Sequence, residues 1–257
     1  MSELDLSSRR EADQLLVSGR VKVKGEVAHL GQKVDFKETD ITIVDNDDRK
    51  DEASAIVLNK PIGYVSGQPE DGHLPAIKLV TLENCLHATK GYQQYFDNRG
   101  FVAAGRLDLT SSGLLIFSKS GVLAKKLVSA SGKIEKEYVV SVERAQHISR
   151  VERDKGMTSL PTPSHDLKVL TKGGKLLFGE ARPLKPVQAK WIDRGEKLRI
   201  VLKEGRKHQI RRMLRELIGF HVIALERVRI GPVLLEDLPQ GRWRPLTKAE
   251  VDSILSS

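Results

Sequence analysis

Residues 45–54, Asp-Asn-Asp-Asp-Arg-Lys-Asp-Glu-Ala-Ser, place seven charges and one amide in ten positions. A stretch this polar cannot help to form a core and reads as a linker. The chain therefore divides into a short module over 1–44 and a main domain over 55–257. Directly after the linker comes Ala55-Ile56-Val57-Leu58, an apolar run of strand length. It is closed by Lys60-Pro61-Ile62-Gly63, where Pro and Gly force a turn.

In the short module, Ser8-Arg9-Arg10-Glu11 has the form of a helix capping box. Ala12, Leu15 and Leu16 then recur at helical spacing until Gly19. Val21 to Val27 alternates around Lys24-Gly25 as a hairpin, and Ile41 to Val44 offers another strand. In the main domain Leu114–Phe117, Tyr138–Val142 and Leu198–Leu202 read as strands, and Gly121–Ala130 and Gln209–Ile218 as helices. The spacing shows no internal repeat, and a mixed α+β architecture is expected.

Composition narrows the chemistry. The one cysteine, Cys85, can form no internal disulfide, and none of the seven histidines has the spacing of a metal pair, so no protein-held metal is expected. There is no Gly-x-x-x-x-Gly-Lys-Ser/Thr loop and no Gly-x-Gly-x-x-Gly after a strand, so no nucleotide cofactor is expected. The apolar runs are too short to span a bilayer, and Met1 to Arg10 lacks the apolar core of a secretory signal, which makes the cytoplasm the expected compartment. A monomer is expected. The net charge of +9 is concentrated: Arg182 to Arg229 holds 14 Lys or Arg against 5 Asp or Glu, and the charges elsewhere cancel. Such a stretch suits a partner that presents phosphates, or it is merely a solvated basic face.

The richest stretch is Ala104-Gly105-Arg106-Leu107-Asp108-Leu109-Thr110-Ser111-Ser112-Gly113, a polar loop leading into an apolar strand. A carboxylate two residues from a guanidinium, on a loop carried by a rigid strand, can stay ionised and attack a carbon electrophile. On the residues alone, an Arg–Asp pair that simply closes a turn is the favoured reading. Glu135 and Glu137 would supply the second carboxylate of a glycosidase, although alternation turns them to solvent beside Tyr138.

The loop closely resembles the Gly-Arg-Leu-Asp motif of RNA pseudouridine synthases, in the branch that includes RsuA. Three further stretches resemble that family's motifs in its order. They are Leu58-Asn59-Lys60-Pro61-Ile62-Gly63-Tyr64-Val65-Ser66, Lys136-Glu137-Tyr138-Val139-Val140, and Glu204-Gly205-Arg206-Lys207-His208-Gln209-Ile210-Arg211-Arg212-Met213.

The resemblance implies a pseudouridine synthase domain built on a mixed, largely antiparallel sheet. It makes Asp108 the nucleophile, stacks Tyr138 on the target uracil, pairs Arg211 with Asp108, gives Arg106 the task of holding the flipped nucleotide, and puts Ile210 beneath the base. Lys60, Arg206, Lys207 and Arg212 would contact RNA. Isomerising uridine conserves every atom, so the resemblance implies no cofactor. The partner implied is RNA, large-subunit ribosomal RNA first and transfer RNA next. Residues 8–31 are similar to the S4 RNA-binding module of that branch, with Arg9, Arg10, Arg20 and Lys22 on its RNA-facing edge. In the family an additional helix precedes Ser-Arg-Arg-Glu, so an incomplete module is expected. The competing expectation is a non-catalytic RNA-binding or ribosome-assembly factor with the same basic face.

Overall fold

The computed structural model describes residues 9–17, 19–35, 40–43, 54–69, 71–86, 98–128, 134–148, 153–154, 157 and 159–257. The capping serine Ser8 and linker residues 45–53 lie outside them. The first helix, α1, covers Arg9–Val17. The expected hairpin follows as β1 (Val21–Val23) and β2 (Glu26–Val27), with Val23 opposite Glu26. Its turn residues Lys24 and Gly25 have φ of 53° and 82°, the paired left-handed conformation that matches the twist of a two-residue hairpin. A third strand, β3 (Ile41–Ile43), pairs on the other side of β1, giving the order β2-β1-β3.

The second sheet has nine strands. These are β4 (Ala55–Lys60), β5 (Val102–Ala103), β6 (Ser112–Ser118), β7 (Lys136–Arg144), β8 (Gln188–Trp191), β9 (Lys197–Leu202), β10 (Phe220–Ile230), β11 (Val233–Leu234) and β12 (Trp243–Pro245). The path runs β12-β4-β6-β10-β7-β9-β8, with β5 on β6 and β11 on β10. Only β6 and β10 pair in parallel among the described residues, so the sheet is mixed and largely antiparallel. All six residues of β4 are buried, which accounts for its continuous apolar sequence: a strand covered on both faces needs no polar alternation.

Both faces are covered. Ile56, Leu58, Leu115, Val140 and Ile200 pack with Ile210, Met213 and Leu214 of the helix Gln209–Ile218. Val57, Leu114 and Ile116 pack on the opposite side with Leu123 and Leu127 of Gly121–Val128 and with Ile254 of Lys248–Ser256. Numbered in chain order with the one-turn helix Lys168–Thr171, these are α2 (Gly121–Val128), α3 (Lys168–Thr171), α4 (Gln209–Ile218) and α5 (Lys248–Ser256). The sequence reading named none of β5, β8, β10, β11, β12, α3 and α5. The longest of these are β10, the eleven-residue strand between β6 and β7, and α5, which opens with a complete capping box between Thr247 and Glu250.

The registers line up one transverse row: Lys60 opposite Gly113, Gly113 opposite Arg227, Arg227 opposite Tyr138, and Tyr138 opposite Ile200. This row lies beneath the loop that carries Asp108.

Candidate active site

Residues 104–111 connect β5 to β6, and three distant parts of the chain fix their backbone at four places. Ser66 Oγ donates to the Leu107 carbonyl at 2.7 Å and accepts from the Leu107 amide at 2.8 Å. The Gly63 amide donates to the Leu109 carbonyl at 2.9 Å. Arg227 Nη1 donates to the Arg106 carbonyl at 3.1 Å, and Arg211 Nη2 to the Thr110 carbonyl at 2.9 Å. A loop held at four places presents its side chains in fixed directions, as a reacting group requires.

Asp108 is half-buried, and its Oδ2 lies 3.2 Å from Nδ1 of His208. The ion pair expected between Asp108 and Arg211 is not formed. Arg211 leaves the first turn of α4 and spreads its guanidinium between two carbonyls, Val222 at 3.1 Å and Thr110 at 2.9 Å. A half-buried guanidinium needs acceptors in its plane, and these carbonyls supply them before the carboxylate is reached. Burial lowers the Arg211 pKa, and the charge of Asp108 opposes that shift.

Lys60 was expected at the RNA surface and is fully buried instead. Its ammonium donates to the carbonyls of Pro61 at 2.8 Å and Tyr64 at 2.9 Å. Burial pulls its pKa down to about 8; the carboxylate of Asp108 resists this and the nearby charge of Arg227 adds to it. Arg227 went unnoticed in the sequence because it lies on the unrecognised β10. It is buried, and its Nε donates to the Leu114 carbonyl at 2.7 Å. Asp108 thus interacts with the positive charges of Lys60 and Arg211, each hydrogen-bonded to main-chain oxygen, and Arg227 adds its charge next to Lys60.

Tyr138, Leu107 and Ile210 belong to one apolar cluster on the same side of the sheet, so the phenol ring and the expected pocket residue are brought together near the loop. Arg106 is exposed, and its side chain makes no hydrogen bond or ion pair within the described protein. Lys207 is likewise exposed and unpaired.

Two other expected RNA contacts are engaged inside the protein. Arg206 donates to the carbonyls of Arg182 and Pro183 at 2.6 and 2.5 Å and pairs with Glu204 and Glu180. Arg212 pairs with Glu180 at 2.6 Å and Glu216 at 3.0 Å and donates to the Phe178 carbonyl. A sequence shows that a residue is cationic but not that Glu180, from a distant segment, pairs with both of these arginines. The basic excess of 182–229 is therefore only partly available: Arg206, Arg211, Arg212, Arg227 and Arg229 all have internal partners. In the small sheet's module, Arg9 and Arg10 open α1, Arg20 follows it, and Lys22 lies on β1.

Glu135 and Glu137 are tied to Arg229 at 3.2 and 2.8 Å, which removes them as a second catalytic carboxylate. Among the described residues no group of three or more His, Cys, Asp or Glu is placed to hold a metal ion, and no helix is long and apolar enough to cross a membrane.

The mixed sheet is that of a pseudouridine synthase. A solved structure described as a pseudouridylate synthase superimposes with a TM-score of 0.60 at 25% identity, covering 96% of this chain and 93% of its own. The sequence model described as RNA pseudouridylate synthase matches residues 54–216, and the chain belongs to that family. A relative from Aquifex aeolicus (strain VF5), called an uncharacterized RNA pseudouridine synthase, is 32% identical over 250 residues, with 96% of this chain and 90% of that one covered. The dual-specificity RNA pseudouridine synthase RluF of Escherichia coli (strain K12) is 30% identical over 98% of this chain and 75% of its own. The ribosomal large subunit pseudouridine synthase B of Xylella fastidiosa (strain Temecula1) is 30% identical over 99% of this chain, which spans 49% of that protein.

Proposed function

We propose that this RNA pseudouridine synthase isomerises a specific uridine in folded large-subunit ribosomal RNA, with Asp108 as its nucleophile. The observation that carries this is the Asp108 loop: a half-exposed carboxylate on a backbone immobilised through Ser66, Gly63, Arg211 and Arg227, with Leu107 of the same loop packed in the buried apolar cluster that holds Tyr138 and Ile210. The ribosomal target follows the relatives named for the large subunit.

A uridine inside folded RNA must leave its stack, at a cost of a few kcal/mol. Arg106 and Lys207 are exposed and unpaired beside the loop, and they offset this cost by holding the displaced backbone. The uracil then lies against Tyr138 and above Ile210. Asp108 adds to the nucleotide, the bond from C1′ to N1 breaks, and the detached uracil turns so that C5 bonds to C1′. The proton leaves C5 for solvent, with the Tyr138 phenol assisting, N1 gains a proton where its bond to C1′ was, and Asp108 is released. The elemental composition of the nucleotide is unchanged. Residues 55–257 form the catalytic domain in this account, and 1–44 an S4-like RNA-binding module joined by the linker 45–54. The protein acts as a cytoplasmic monomer.

The test is tritium release from ribosomal RNA transcribed with 5-³H-uridine. Wild type should release one equivalent of tritium per RNA, and Asp108→Asn none while still binding. An active Asp108→Asn would contradict the assignment. Tight binding with no release by wild type would instead support a non-catalytic assembly factor.

A further inference from the structure

We propose that His208 is the positioning residue for the Asp108 carboxylate, a role that rests on Asp108 being the nucleophile. Its Nδ1 lies 3.2 Å from Asp108 Oδ2, and among the described residues no other charged side chain is within ion-pairing distance of that carboxylate. In this role the imidazole carries its proton on Nδ1 and donates, since an ionised carboxylate only accepts hydrogen bonds. Donation to Oδ2 fixes the rotation of the carboxylate and leaves Oδ1 free to face the nucleotide. Arg211 is occupied with the Val222 and Thr110 carbonyls, so it fixes the loop's backbone while His208 fixes its side chain.

The backbone of His208 points to the same role. The residue stands immediately before α4 in the left-handed conformation, φ 53° and ψ 28°, and its side chain does not cap the helix. A residue with a Cβ rarely adopts this conformation, and the unfavourable geometry directs the imidazole away from α4 and onto Asp108. Its neighbours leave it free to do so. Gln209 turns back to Glu204 at 2.8 Å and accepts from the Arg206 amide at 2.9 Å, so it does not compete for the carboxylate.

This conformation provides a clean test, because glycine and asparagine both tolerate it. His208→Gly keeps or improves the backbone and loses only the imidazole. His208→Asn keeps a donor, its Nδ2, near the position of Nδ1. With 5-³H-uridine ribosomal RNA in single turnover, His208→Gly should slow the chemical step on the order of 100-fold, as for a reacting group that loses its fixed geometry, with melting temperature and RNA affinity maintained. His208→Asn should recover most of that rate. A histidine ¹⁵N spectrum should show His208 protonated at Nδ1 in wild type and lose that preference in Asp108→Asn. If wild type is active and Asp108→Asn silent, but His208→Gly is as fast as wild type or His208→Asn as slow as His208→Gly, the role of His208 is overturned alone. A silent wild type would overturn the activity beneath it as well.

Discussion

Lys60 shows how far a residue's chemistry depends on depth that its name does not reveal. In the sequence it is a cation in a turn motif; in the fold it lies beneath the Asp108 loop with its ammonium on two carbonyls. Its folded pKa of about 8 lies below the ordinary lysine value of 10.5, so between those values the unfolded chain binds the extra proton and stability rises with pH. Holding the charge at neutral pH costs on the order of 3 kcal/mol. Measured by urea unfolding, wild type should therefore gain stability relative to Lys60→Met as pH rises from 8 to 10.5; parallel curves would contradict the burial of that charge. A second contrast separates Arg206 from its neighbour. Arg206→Ala should lose about 1–3 kcal/mol of stability, because two carbonyls and two carboxylates lose a partner, with the salt dependence of RNA binding unchanged. Lys207→Ala should leave the melting temperature alone and reduce the slope of log affinity against log salt by about 1. The places of Asp108 on a loop before β6, Tyr138 on β7 and Ile210 on α4 were legible because each adjoins or lies within a regular apolar pattern. The carbonyl partners of Arg211 and the Glu180 shared by Arg206 and Arg212 were not, since Thr110, Val222 and Glu180 come from distant segments that no local pattern connects.

At the scale of elements, the apolar runs of β4, β6, β7 and β9 and the helical periodicity of α2 and α4 were readable because each buries a regular face. β10 was not. Its pairing with β7 shifts register between Val222 and Ala224 and again between Arg227 and Arg229, so its apolar residues do not alternate strictly. Missing β10 also hid the parallel contact with β6 on which the active-site row depends. Gly113 sits at that contact with φ 102°, and a Cβ there would come within 2.3 Å of the Arg227 carbonyl oxygen. Gly113→Ala should thus destabilise the fold by more than about 3 kcal/mol, through both backbone strain and the collision. Chemical unfolding checks this, and a loss below about 1 kcal/mol would show that β6 and β10 can separate without cost.

Across the whole molecule, the polar segment 45–54 divides a small three-stranded sheet from a nine-stranded one in the sequence, and four motifs spread over residues 58–213 meet around one loop in the larger sheet. The charge excess of 182–229 is divided by this folding. Part of it holds the site together from within, and exposed residues such as Arg182, Lys185 and Lys207 remain for phosphates. Composition foretold the excess but could not tell those fractions apart. The central claim, that this enzyme isomerises one uridine through Asp108, is tested most directly in cells. Carbodiimide mapping of pseudouridine would be carried out on ribosomal and transfer RNA from cells lacking the protein, rescued with wild type or with Asp108→Asn. The account predicts one large-subunit ribosomal site that disappears without the protein and returns with wild type alone; no lost site, or a site restored by Asp108→Asn, would contradict it.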